Sequence, residues 1–130
     1  MILLDTDTCI ELLKGNRRVL KHRGRHDDPV GICFMTIAEL YYGAEKSPEP
    51  EANFSAIEKL LLSLEIIHTD LAILRRFGAI KAALQRSGTP LADADVLVAA
   101  ATLEKGDRLV TGNARHFDRI PGLALEDWSA

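Results

Sequence analysis

Five acidic residues adjoin apolar segments of this sequence, and their type and placement suit metal-dependent chemistry. They are Asp5, Asp7, Glu39, Asp93 and Asp95. Acids that converge repel one another, so a cluster of Asp5, Glu39 and Asp95 would be costly when empty and would favour a bound cation. The sequence therefore predicts a metal site.

An all-oxygen donor set of this kind suits a hard ion. We therefore expect Mg²⁺, with Mn²⁺ as the second candidate, rather than Zn²⁺. Such ions lower the pKa of a bound water and polarise a phosphodiester, which permits hydrolysis without a protein nucleophile. Phosphate esters are the substrate class that this chemistry favours.

Each acid also has a structural interpretation that the sequence leaves open. Asp7 and Asp93 are good helix N-cap types, and Glu39 fits a solvated helix position. Asp95 stands near a predicted helix start, where the helix dipole favours any carboxylate. Asp5 is harder to explain in this way, because three other N-cap types follow it directly.

The elements that must position these acids alternate between strand and helix. Short apolar runs predict strands at residues 2–4, 30–34, 66–67, 109–110 and 123–125. Capped or amphipathic segments lie between them, and Thr36 is expected to cap the helix of residues 37–44. This order predicts an α/β fold, a three-layer α/β/α sandwich with a mainly parallel four- or five-stranded sheet. Ligands bind beyond the carboxyl ends of such strands, where Asp5, Glu39 and Asn113 fall.

Composition indicates one ordered domain over residues 1–130. The chain is 47% hydrophobic and 27% charged, with a net charge of −3. Cys9 and Cys33 are expected to be buried packing residues, since two cysteines support neither a disulfide framework nor a zinc cluster. The N-terminal residues lack the pattern of a signal peptide, and no apolar run approaches the roughly 18 residues of a membrane span. We expect a cytoplasmic protein with no membrane association.

Cations concentrate in one segment, from Lys14 to His26, which no acid interrupts. Such a run suits contact with phosphates, although it equally fits the solvated face of a short helix and its exit loop.

Four segments, in order, resemble the motifs of the PIN-domain ribonucleases and, within them, the VapC-type toxins of bacterial type II toxin–antitoxin systems. The segments are Leu4–Asp7, Thr36–Gly43, Asp95–Ala100 and Leu109–Asn113, the last followed by His116 and Phe117. The resemblance covers nearly the whole chain and implies a single PIN domain over residues 1–130.

The resemblance also implies which side chains form the site. These are Asp5, Glu39, Asp95 and Asn113, with Asp5 and Asp95 as the direct metal ligands. Asn113 stands where many PIN domains have an acid, so it orients a water or a ligand without adding charge, which argues against tight two-ion binding. Asp93 is interpreted as a helix cap or an outer ligand, and Asp7 as a residue that braces Asp5.

By the same resemblance, the protein is expected to be an Mg²⁺-dependent endoribonuclease and a toxin. Its RNA substrate is not identified by the sequence, and tRNA is one candidate. A homodimer is expected, silenced by a cognate VapB-type antitoxin whose C-terminal segment lies in a groove. The apolar residues Ile10, Leu13, Tyr41 and Tyr42 are candidates for that groove, with core or dimer packing as the equal alternative.

Three other hypotheses compete with this one. A phospho-receiver domain has a similar size and element order, with Asp70 as its acceptor, but the sequence lacks the adjacent acidic pair and the late lysine that it needs. A PIN-like module that binds RNA or protein with weak or no catalysis is the second. A metal-free ribonuclease that uses histidines is the third, although the four histidines share no close ligand or acid–base spacing.

Overall fold

Short apolar segments form the strands of one sheet in the computed structural model, which describes residues 1–129. The strands are β1 (Ile2–Leu4), β2 (Val30–Cys33), β3 (Glu65–Ile67), β4 (Arg108–Val110) and β5 (Leu125–Glu126). Every pairing is parallel, and the strand order is β3-β2-β1-β4-β5. The first strand of the chain therefore lies at the centre of the sheet, between β2 and β4.

Seven helices in the described residues connect and cover the strands. They are α1 (Thr6–Leu13), α2 (Arg17–Arg25), α3 (Phe34–Glu45), α4 (Pro50–Leu62), α5 (Leu71–Arg86), α6 (Asp93–Lys105) and α7 (Ala114–Phe117). Gly15 separates α1 from α2 with a φ of 75°, a left-handed conformation that glycine adopts at no steric cost. Within residues 1–129, no helix is both long and apolar enough to cross a bilayer.

Alternating side chains of the central strands divide the core between the two faces of the sheet. Ile2 and Leu4 pack with buried residues of α1, α2, α3 and α4, whereas Leu3 packs with buried residues of α5, α6 and α7. Both Cys9 and Cys33 are buried and unpaired, as expected, and burial raises the pKa of each thiol. The structure confirms the three-layer α/β/α fold with a parallel five-stranded sheet.

Two predicted helix starts are wrong by a few residues. Helix α1 begins at Thr6, so Asp5 takes the N-cap position and Asp7 lies inside the helix. Helix α3 begins directly after β2 with Cys33 at its N-cap position, so Thr36 is a buried helical residue and not a cap. Helix α6 begins at Asp93, as predicted, but Ala92 takes the N-cap position, so Asp93 does not cap the helix. In each case the helix starts directly after the preceding extended residue, although a better capping side chain follows.

The predicted cap of α5 is confirmed. The backbone N–H of Ile73 donates a 2.9 Å hydrogen bond to Asp70 Oδ1, and Asp70 Oδ2 lies 2.6 Å from Lys105 Nζ. These contacts account for Asp70 as a structural residue.

Candidate metal centre

The sheet topology brings the ends of β1 and β4 together at its carboxyl edge. Asp5 follows β1 and donates its backbone N–H to the carbonyl of Val110, at 2.9 Å. Thr111 follows β4, and its hydroxyl donates to Asp5 Oδ2 at 2.9 Å. The chain proceeds from β1 to one side of the sheet and returns to the other side with β4, which is the switch point where ligands bind in open parallel sheets.

Asp5 is a buried acid, with 7% of its surface exposed. Burial raises its pKa from 3.8 to about 6, and the nearby charges of Asp7 and Asp95 raise it further, against the opposing hydrogen bonds from the Thr6 backbone and the Thr111 hydroxyl. Asp95 belongs to the first turn of α6. A buried carboxylate beside other carboxylates stabilises any cation that binds there.

Glu39 and Asp95 are each held by one side chain from another element. The hydroxyl of Thr6 donates to Glu39 Oε1 at 2.9 Å, and His116 Nε2 lies 2.8 Å from Asp95 Oδ2. Thr6 directly follows Asp5, so this bond ties α3 to the start of α1. Glu39 is thus joined to the residue that follows Asp5, and Asp95 is joined to α7.

Asp7 and Asn113 occupy the rim of this region. The backbone N–H of Gly112 donates to Asp7 Oδ2 at 2.9 Å, so Asp7 joins α1 to the segment after β4 instead of capping its own helix. The backbone N–H of Asn113 donates to Thr111 Oγ1 at 3.0 Å, and the Asn113 side chain is exposed. Thr111 thus connects Asn113 to Asp5.

Asp93 differs from its neighbour Asp95 in both exposure and partner. Its side chain is 62% exposed and lies 2.9 Å from Lys81 Nζ. By contrast, among residues 1–129 no lysine or arginine forms an ion pair with Asp5, Glu39 or Asp95. Within the described residues, these three acids therefore have no lysine or arginine partner, and His116 is the one basic side chain that contacts them.

The donor set of the three acids fits a hard divalent cation. Carboxylate oxygens are the preferred ligands of such ions, and buried Asp5 has no cationic partner of its own within the described residues. We name Asp5, Glu39 and Asp95 the acid cluster. Their oxygens do not all lie within 4.8 Å of one another, so the cluster is open. An open cluster suits an ion that keeps several waters and binds through one or two carboxylates.

The residues that position the acids are not evident from the sequence. Thr6, Thr111 and His116 lie in or directly beside the four motifs, but nothing in their spacing assigns them a partner. The expectation that the four histidines share no close ligand spacing is wrong for His22 and His26, because a ring nitrogen of each lies within 4.8 Å of the other. The position of Thr111 directly after a strand at the predicted switch point is the one signal that could have found it.

A groove runs from Glu39 along α1, α3 and α4. It has a volume of about 320 Å³ and is lined by Ile10, Leu13, Lys14, Glu39, Leu40, Gly43, Ala44, Asn53, Ala56 and Ile57. Of the four apolar residues proposed for such a groove, Ile10 and Leu13 line it. Tyr41 and Tyr42 do not line it; Tyr42 is 67% exposed and lies under Lys46 Nζ.

Comparison with known proteins defines the class. The PIN-domain family model matches residues 2–123. The structure superposes on VapBC2 from Rickettsia felis, solved with a DNA fragment of its promoter, with a TM-score of 0.93 at 30% identity over 98% of this chain and 99% of that one. DNA-bound VapBC from Salmonella typhimurium gives a TM-score of 0.92 at 37% identity, over 98% and 97% of the two chains.

Curated relatives are similar over almost their whole length. The tRNA(fMet)-specific endonuclease VapC of Salmonella typhimurium is 38% identical over 127 residues, 97% of this chain and 96% of the relative. Ribonuclease VapC2 of Haemophilus influenzae is 38% identical over 129 residues, with the same coverage. The chain therefore belongs to the PIN-domain family and, within it, to the VapC group. PIN-domain nucleases generally depend on divalent metals, so the family agrees with the donor set of the acids.

Proposed function

We propose that the protein is a divalent-metal-dependent endoribonuclease and the toxin of a type II toxin–antitoxin pair. The observation that carries this proposal is the buried Asp5, whose pKa the charge of Asp95 helps to raise and whose neighbour Thr6 holds Glu39. No lysine or arginine pairs with these three acids within residues 1–129. Membership of the PIN-domain family and the ribonuclease names of the VapC relatives support it.

Asp5 and Asp95 would bind the ion, which we propose is Mg²⁺ or Mn²⁺. A bound ion of this class activates a water and offsets charge on the phosphodiester. The protein's own contribution is positioning: Thr111 fixes Asp5, and His116 fixes Asp95. Glu39 and Asn113, at the edge of the cluster, are assigned to holding and orienting the attacking water.

The substrate class that we propose is tRNA, with the initiator tRNA as the first to test. Two relatives that are 38% and 36% identical to this chain are named as endonucleases specific for tRNA(fMet). The exposed cations of α2 would contact the RNA phosphates.

The test is cleavage of total tRNA by purified, metal-free protein, with mapping of the new 5′ ends. We expect no cleavage in EDTA and recovery on addition of Mg²⁺ or Mn²⁺, with the cuts concentrated in one tRNA. Cleavage that persists in EDTA would contradict the metal mechanism. Metal-dependent cuts spread over all tRNAs would contradict the proposed substrate specificity but not the metal mechanism.

We further propose that a VapB-type antitoxin fills the groove, with the protein acting as a homodimer in the cytoplasm, where tRNA is found. The groove is apolar along Ile10 and Leu13 and reaches Glu39 at the acid cluster. A segment with apolar side chains and one basic side chain would complement both parts. The solved VapBC structures support this partner.

Substitution in the groove tests the partner. Ile10→Glu or Leu13→Glu places a charge among apolar contacts, so we expect antitoxin binding to weaken at least about tenfold, about 1.4 kcal/mol. Leu62→Glu is the matched control, because Leu62 is 89% exposed on α4 and does not line the groove. Equal binding by all three variants would show that the antitoxin docks elsewhere.

A further inference from the structure

A second group of metal-ligating side chains lies apart from the acids. His22 and His26 stand one helical turn apart at the end of α2, and Glu126 comes from β5. One ligand atom from each of the three lies within 4.8 Å of the other two. His26 Nε2 is 3.3 Å from Glu126 Oε1. We name these three residues the histidine cluster.

Both imidazoles are held in place by Trp128, which is fully buried. The rings of His26 and Trp128 lie 5.3 Å apart at an angle of 15°, and those of His22 and Trp128 lie 6.2 Å apart at 5°. The indole therefore keeps the two imidazole planes nearly parallel to itself. Ligands held in this way lose little conformational entropy when a metal binds.

The carboxylate of the cluster is kept ionised by an arginine. Although burial acts to raise the pKa of Glu126, the hydrogen bond and charge of Arg108 and the charge of His26 lower it overall. Arg108 Nε donates to Glu126 Oε2 at 2.7 Å, which leaves Oε1 facing His26. Arg108 Nη2 also lies 3.4 Å from His26 Nδ1 and 3.9 Å from Asp28.

We propose that His22, His26 and Glu126 bind a divalent transition metal ion, with Zn²⁺ as the ion that fits the site best. Two imidazole nitrogens and one carboxylate oxygen form a donor set that suits Zn²⁺ at tetrahedral geometry with a water as the fourth ligand. Mg²⁺ prefers oxygen ligands alone, so the histidine cluster and the acid cluster select different metals.

A metal at this position joins the end of the basic helix α2 to β5. The site contains no residue of the acid cluster, so its function is structural: binding stabilises the folded chain and fixes the exit of α2. The positive charge of Arg108 opposes any cation nearby, which makes this a site of moderate affinity.

The experiment is a Co²⁺ titration of the full chain in excess Mg²⁺, followed by visible absorption. The protein carries Asp5→Asn and Asp95→Asn, so that the acid cluster cannot supply the signal. We expect one equivalent of Co²⁺ to give a tetrahedral d–d band that Zn²⁺ abolishes. His22→Gln or His26→Gln in the same background should weaken binding at least about tenfold, as loss of a ligand does. His68→Gln is the control, because His68 is an exposed histidine outside the cluster.

Thermal unfolding gives a second measurement. Zn²⁺ should raise the Tm of the parent and of His68→Gln, and leave His22→Gln and Glu126→Gln unchanged, with folding checked by circular dichroism. If one of the three histidine-cluster variants (His22→Gln, His26→Gln or Glu126→Gln) does not fold, the other two test the proposal. An unaltered Co²⁺ band in the folded cluster variants, or no band in the parent, would overturn the proposal. Neither result bears on RNA cleavage.

Discussion

The acid cluster and the histidine cluster hold partly buried carboxylates in opposite ways. At the acid cluster, hydroxyl and amide groups hold Asp5, Glu39 and the adjoining Asp7, and these neutral donors fix geometry without cancelling charge. At the histidine cluster, Arg108 pairs with Glu126 and cancels its charge. The acid cluster therefore keeps its negative charge, which favours a hard cation. At the histidine cluster the nitrogen ligands favour a softer cation.

The largest effect should follow from removing charge at the acid cluster while keeping its shape. Asp5→Asn or Asp95→Asn should lower RNA cleavage at least about a thousandfold, about 4 kcal/mol in activation free energy, because each removes a proposed metal ligand. Asp93→Asn is the matched control on the same helix, since Asp93 pairs with Lys81 outside the cluster. The measurement is the single-turnover rate on tRNA.

Near-normal cleavage by folded Asp5→Asn and Asp95→Asn variants would show that the acid cluster does not bind the catalytic ion. A loss as large in Asp93→Asn would show that Asp93 is also a metal ligand.

A smaller loss should follow from removing a neutral donor. Thr111→Val deletes the hydroxyl that donates to Asp5 Oδ2, and outer partners of this kind contribute about 10- to 100-fold to metal affinity or activity. Thr111→Ser retains the hydroxyl and should keep most of the activity. The Mg²⁺ concentration that gives half-maximal cleavage should rise in Thr111→Val but not in Thr111→Ser. Full activity in Thr111→Val, or a loss as large in Thr111→Ser, would show that the Thr111 hydroxyl does not position Asp5.

The cations of α2 offer a contrast to both clusters, because they face solvent without carboxylate partners. Arg17, Arg18 and Arg25 are exposed and form no ion pair within residues 1–129. Replacing all three with Gln should weaken RNA binding and flatten its dependence on log salt by about 0.7 for each RNA phosphate that the variant no longer neutralises. Glutamine at Arg75 and Arg86 on α5 serves as the charge control. An unchanged salt slope would make the α2 cations a solvated surface only.

The smallest effect concerns Asp70, an exposed carboxylate with a lysine partner. The hydrogen bond from Lys105 and the N–H of Ile73 lower the pKa of Asp70 in the folded chain below its ordinary value of 3.8. Its stabilising effect is therefore complete above pH 3.8 and is lost as pH falls through the lowered value. Urea unfolding should show Asp70→Asn slightly less stable at pH 7, with the difference narrowing below pH 3.8. A stability difference that does not change with pH would show that Asp70 acts through packing and not through its charge.

The sequence predicts the fold and the acid cluster better than the partners of the acids. Strand ends at Asp5 and Thr111, together with parallel order, are local patterns that place both residues at one edge. The contact of His116 with Asp95 depends on how α7 packs against α6, which no local pattern encodes. His22 and His26 stand four residues apart, so a helical face could have been suspected, but Glu126 joins them only through the edge position of β5.

The residues that line the groove also depend on packing that no local sequence pattern encodes. Ile10, Leu13, Tyr41 and Tyr42 are equally apolar in sequence, yet the rotation of α3 turns only part of this set toward the groove. Helix starts fail for a related reason. Capping preferences contribute about 1 kcal/mol each, and the packing of α1 and α3 against the sheet outweighs them.

The central position of β1 has a consequence during protein synthesis. Asp5 is synthesised 106 residues before its hydrogen-bond donor, Thr111. At about 5 to 20 residues per second, roughly 5 to 20 s separate the two. The nascent chain therefore carries Asp5 for this interval before the acid cluster is complete. A partner protein that is already present in the cell can bind the chain during that time.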